Sequence, residues 1–334
     1  MAGSFAAALS HRRYSYAAVV AMLGVGLAFP AAVAVPLALG MVVLGVAHGA
    51  CDQLVVPASK PTGAAVSGWR YWRQFLLGYL GLAAAVGVLW WFWPAATVAG
   101  FFLLTVWHWG SADAPTADAD VSTKWWLTHS LLRGLLIFAV PAWGRAAETL
   151  ALVNDLLSFV GAAAVSAPVF QAIGLVLGVV VVAGHPVLWA RYAMLGRKEL
   201  LQADLIEVVL LSVLFVALPP RVSVAVYFVF WHSLQHILRL NDWLGYARHA
   251  PNRATGAELL AHLFFFLRRA APLLLLSCVA LLVLGHLLAP RLPTATAWFS
   301  LALVVASIVT LPHAMLVTAV MDAPRWQGFG PGSR

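Results

Sequence analysis

Two histidines stand four residues apart in Trp231-His232-Ser233-Leu234-Gln235-His236, inside a long apolar stretch. On a helix this spacing puts both imidazoles on one face, where they can ligate a single metal ion. The plainer alternative is that each joins a neighbouring helix by a hydrogen bond. Gly45-Val46-Ala47-His48-Gly49-Ala50-Cys51-Asp52 surrounds a histidine with small residues. It also places Asp52 one turn on, where a carboxylate could accept the second N–H of an imidazole, the usual outer support of metal-bound histidine. Trp107-His108-Trp109-Gly110-Ser111-Ala112-Asp113 has the same ingredients, so Asp113 is a matching candidate and the two segments resemble half-sites. In Leu311-Pro312-His313-Ala314-Met315 the proline opens the helix, and His313 is either a further ligand or a substrate-side residue. His185, before Pro186, and His129 are candidates for an outer shell, whereas His11, His249, His262 and His286 receive no role. Imidazole suits zinc, copper, iron or nickel, and the residue types alone do not choose among them.

The elements that carry these residues must cross a membrane. Of 334 residues, 63% are hydrophobic and 10% charged, and the mean hydropathy is +0.90, which excludes a soluble globular domain. The fold expected is all-α, a single integral membrane domain over 1–334 with about ten helices (range 8–11). At ~1.5 Å per residue and ~20 residues per crossing, spans are predicted near 14–30, 32–50, 71–93, 95–110, 126–143, 168–190, 203–219, 222–240, 270–289 and 295–318. The first follows Arg12 and Arg13 like the start of a signal peptide, but no convincing cleavage site follows and it is read as retained. Pro30, Pro94 and Pro219-Pro220 suit tight connections, and Trp90, Trp91 and Trp93 suit an interfacial belt. Segment 146–166 is read as an outer interfacial segment, and 256–269 as an amphipathic surface helix preceding its span.

Of the 20 lysines and arginines, only Arg145, Arg221 and Arg291 fall in loops on the far side, and Arg133 falls within a span. The rest lie on the side of the N-terminus, which places both termini in the cytoplasm. The net charge of +8 is thereby a topology signal facing anionic headgroups, and nucleic-acid binding is set aside. Even-numbered spans then run inward, and His48, His108, His185, His232, His236 and His313 all come at their inner ends, six of the 11 histidines of the chain. Cys51 and Cys278 are too few for a disulfide framework or a thiolate cage.

The segments GVAHGACD at 45–52, HWGSAD at 108–113, WHSLQH at 231–236 and LPHAML at 311–316 together resemble the Brp/Blh-type β-carotene 15,15′-dioxygenases, membrane enzymes that make retinal for rhodopsins. The resemblance spans most of the chain, but 145–225 is not aligned by it and His185 inherits nothing. It implies Fe(II) at His48, His108, His232 and His236, with β-carotene and O2 as substrates, retinal as product and a functional link to a retinal-binding rhodopsin; charge placement adds residence in the plasma membrane with the metal toward the cytoplasmic leaflet. Asp52 and Asp113 would then orient ligands. The rivals are a di-iron desaturase or hydroxylase, for which this chain lacks the histidine boxes, a bis-histidine haem protein, and a histidine-lined transporter.

Overall fold

The computed structural model describes residues 3–59, 68–115, 121–246 and 255–326, and every regular element among them is helical. His249 and the basic residues Lys60, Arg248, Arg253 and Arg334 lie outside the described residues. Helix α1 (Gly3–Ala28) is followed by a continuous run, Pro30–Gly49, in which α2 (Ala34–Gly40) passes into a widened π segment, Met41–Val46, and a tight 3-10 turn, Ala47–Gly49. The short α3 (Asp52–Ala58) precedes α4 (Trp69–Phe92), α5 (Pro94–Asp113), α6 (Thr123–Gly144) and α7 (Ala146–Phe159). Then come α8 (Ala167–Met194), α9 (Lys198–Ala217) and α10 (Pro220–Val226), a second π segment (Tyr227–Ser233) and α11 (Leu234–Trp243). The chain closes with α12 (Thr255–Leu288), α13 (Ala295–Leu316), a third π segment (Val317–Met321) and α14 (Ala323–Trp326).

Seven of these runs are long and apolar enough to cross a bilayer: Pro30–Gly49, Trp69–Phe92, Thr123–Gly144, Ala167–Met194, Lys198–Ala217, Gly256–Arg291 and Ala295–Met321. Their outward side chains are apolar, with Leu77 at 68% and Leu282 at 73% exposure, a surface that lipid accepts and water does not. The other three expected spans, 14–30, 95–110 and 222–240, are helical as well but carry more polar residues and fall outside the seven. Helix α7, at 14 residues, reaches only ~21 Å by the helical rise, short of a ~30 Å hydrocarbon core.

Two local expectations change. Residues 256–269 do not form a separate surface helix: α12 runs unbroken through 34 residues, with Pro272 inside it. Arg269 causes no break there, because its guanidinium lies 3.5 Å from the centre of the Phe265 ring, one turn back, and donates to the Phe265 carbonyl. Trp90 is not a belt residue; it is buried and donates to Ser307 Oγ at 2.7 Å, whereas Trp91 and Trp93 face outward.

Helices α5 and α6 cross at backbone contact. A Cβ on Gly110 would overlap the Ser130 carbonyl oxygen, and one on Gly134 the Val106 carbonyl oxygen. Small residues at such a crossing let main chains meet in a membrane, and here the crossing fixes α5 two residues after His108. Gly134→Ala is expected to lower the melting temperature of the detergent-solubilised protein by the equivalent of about 1–3 kcal/mol, the usual cost of overpacking. Gly81→Ala, where nothing lies within 4 Å, should leave it unchanged. Equal melting of the two variants would show that the crossing is not tight.

Candidate metal centre

Five histidine rings meet at the centre of the bundle. His48 follows the first π segment, His108 lies in the last two turns of α5, His232 lies in the second π segment, His236 in the first turn of α11, and His313 sits near the end of α13, just before the third π segment. Their ring centroids are 5.7 Å apart for His48 and His232, 5.6 Å for His48 and His236, and 4.9 Å for His48 and His313. They are 5.0 Å apart for His108 with His232 and with His313, 5.1 Å for His236 with His313, and 6.4 Å for His232 with His236. An imidazole bound at ~2.1 Å keeps its ring centre roughly 3.2 Å from the ion, so two rings sharing one ion stand about 4.5 Å apart at a right angle and about 6.4 Å when opposite. The observed separations fall inside that range.

The three π segments were not legible in the sequence. Each inserts a residue into the helical ladder, seen in the Asp322 N–H to Val317 O bond at 3.1 Å, and such bulges cluster at functional sites because they re-aim side chains.

The ring nitrogens are the telling feature. Both nitrogens of His108, His232 and His236, and Nε2 of His313, are buried and have no hydrogen-bond partner among the described residues. Each such orphan costs about 1–3 kcal/mol if nothing meets it, so several together in one chamber point to a shared occupant. Neutral imidazoles with free lone pairs are the donor set that a divalent transition-metal ion takes. Among the described residues no three His, Cys, Asp or Glu side chains are arranged to hold a metal ion together. What converges is the rings.

The aspartates separate in role. Asp52 does orient an imidazole, but that of His313: His313 Nδ1 is 2.9 Å from both carboxylate oxygens, and Tyr79 donates to Asp52 Oδ2 at 3.0 Å. His48 instead uses Nδ1 on the Gly45 carbonyl, 2.5 Å away. Asp113 meets no histidine, contrary to the expectation of matching half-sites. Its Oδ2 accepts from Tyr227 Oη at 3.1 Å and Trp231 Nε1 at 3.0 Å, so it anchors the π segment that carries His232. It also lies 3.6 Å from Arg133.

That arginine organises a second buried cluster. Arg133 donates to Glu207 at 2.8 Å and stands 3.8 Å from Asp204; Arg12 and Tyr16 also bond Glu207. His129 belongs here, with Nδ1 2.9 Å from Tyr192 Oη and Nε2 3.3 Å from Asp204, as does Trp189, which donates to Asp204 at 2.7 Å. His185 packs on Trp189 and turns Nδ1 to the Val181 carbonyl. Neither His129 nor His185 is in ring contact with the five central histidines. An arginine inside a predicted span was the available signal, since it demands buried acidic partners. His11 and His262, given no role, are buried with rings 5.2 Å apart.

Two apolar hollows, about 340 and 320 Å3, lie along α5 and α13 and share Leu104, one turn before His108. The first is walled by residues including Trp93, Phe101 and Leu311, the second by Trp107, Ala314 and Trp326.

Residues 39–322 match the family model for β-carotene 15,15′-dioxygenase, a stretch containing all five central histidines. The chain belongs to this family. A protein of Halobacterium salinarum named as a probable β-carotene 15,15′-dioxygenase, Blh, is 32% identical over 330 residues, covering 94% of this chain and 91% of the relative. No solved structure matches. Membership makes the protein one of an enzyme family named as β-carotene 15,15′-dioxygenases.

Proposed function

We propose that the protein cleaves β-carotene, or a related carotenoid, with O2 at the central double bond to give two molecules of retinal, at an Fe(II) ion held by His48, His108, His232 and His236. The observations that carry this reading are the buried, partnerless ring nitrogens of His108, His232 and His236, with the His48 ring 5.7 and 5.6 Å from those of His232 and His236, within a chain of this family. Bound iron would supply the redox chemistry that lets ground-state dioxygen react with a closed-shell polyene. The balance is simple: one C40 hydrocarbon and one O2 become two C20 aldehydes, so the central C=C breaks, two C=O bonds form, and no proton need enter or leave.

The chain's own work is therefore positioning. No general base is required, which agrees with a chamber of neutral imidazoles. The hollows along α5 and α13 offer an apolar seat reached sideways from lipid, and their junction at Leu104 lies beside His108. A polyene has many similar double bonds, so the lengths of the two arms would select the bond presented to the site. In this reading ten spans cross the plasma membrane, both termini are cytoplasmic, the site lies toward the inner leaflet, and a retinal-binding rhodopsin is the natural consumer of the product.

Expression in cells that accumulate β-carotene should bleach their orange colour and produce retinal. Persistent colour with iron-loaded protein present in the membrane would overturn the reading for that carotenoid.

A further inference from the structure

We infer that His313 is a fifth imidazole ligand of this ion, held in place by the carboxylate of Asp52, so that the centre takes five histidines and not four. The inference rests on the iron reading above and concerns the composition of the same site.

His313 is packed among the cluster as closely as the other four rings. Its ring lies 4.9, 5.0 and 5.1 Å from those of His48, His108 and His236, as close as His108 lies to His232 at 5.0 Å and at the short end of the 5.0 to 6.4 Å seen among the other four. Its two nitrogens are unlike. Nδ1 is engaged at 2.9 Å with both oxygens of Asp52, while Nε2 is buried without a partner. A neutral imidazole that donates from Nδ1 carries its lone pair on Nε2, and a carboxylate on the far nitrogen is the common support of metal-bound histidine.

A purely supporting role would look different. A histidine that buttresses another ligand spends a nitrogen on that ligand's ring, and His313 Nε2 does not. A substrate-facing role is answered by its neighbours: Leu311 and Ala314 line the hollows, while the His313 ring turns toward the other histidines. Asp52 also brings a negative charge to a site otherwise built of neutral donors, which offsets part of the cost of burying a dication. Tyr79, donating to Asp52 from α4, completes the chain of support.

The test uses full-length protein in detergent, with iron content and cobalt(II) substitution as readouts independent of turnover. His313→Ala is expected to lower iron affinity by about tenfold or more, and Asp52→Asn by about 10–100-fold, the range for an outer-shell partner. His313→Gly should recover metal when free imidazole is added, a rescue that a packing role would not produce. In cobalt-loaded wild type, paramagnetic NMR should count five shifted imidazole N–H signals, a result that does not depend on any variant folding. Four signals, or a His313→Ala protein with undiminished iron and an unchanged cobalt spectrum, would overturn the fifth ligand and leave the four-histidine reading standing. A folded wild type that takes up no iron at all would overturn both.

Discussion

His232→Ala is expected to abolish retinal formation, by at least about a hundredfold, and to strip the protein of iron while leaving it folded. His232 is 1% exposed, and both of its nitrogens lack partners among the described residues. Removing that ring takes away buried polar atoms that the metal-free protein cannot satisfy, which opposes the cost of the cavity left behind. The apo melting temperature should therefore change little, whereas the holo protein loses the increment that a tightly bound ion adds to the native state. Iron per chain, retinal yield and melting with and without chelator measure the three parts. Retained iron with full retinal yield would remove His232 from the site. A protein that fails to accumulate even without metal would show that its role is packing.

The second large effect is expected at Arg133, on stability. Its guanidinium is fully buried among Glu207 at 2.8 Å, Asp113 at 3.6 Å and Asp204 at 3.8 Å. Arg133→Met leaves these carboxylates with less countercharge, a loss of about 3–5 kcal/mol when one partner of a buried pair is removed. The damage should reach the histidines too, because Asp113 holds Tyr227 and Trp231, and with them the segment bearing His232. Arg145→Met is the contrast. Arg145 pairs with Glu148 at 2.7 Å in an exposed i,i+3 arrangement, of a kind that contributes ~1 kcal/mol or less. Thermal melting in detergent should separate the two variants clearly, and an equal loss in both would mean that the buried cluster is not a keystone of the bundle.

These expectations depend on two levels of information. Hydropathy and the HxxxH spacing are local properties, so an all-helical membrane protein with His232 and His236 on one face could be read directly from the chain. Charge placement ordered the helices well enough to bring His48, His108 and His313 toward the same end. The continuity of α12 was missed because a polar stretch with two arginines looks like an interface until Arg269 is seen stacked on Phe265. The π segments were missed because a widened turn carries no residue signature.

Composition, spacing and motif order suffice for the class of fold, the family and the candidate histidines. Which groups those histidines face emerges from helix packing: Asp52 supports His313 and not His48, Asp113 turns to Trp231 and Tyr227, and His129 joins Asp204 away from the central rings. The physical reason is that a helix places a side chain on a face, while its partner is chosen by the rotation and crossing of a second helix. Here a glycine contact between α5 and α6 and three inserted residues set that rotation, through packing that no single segment contains.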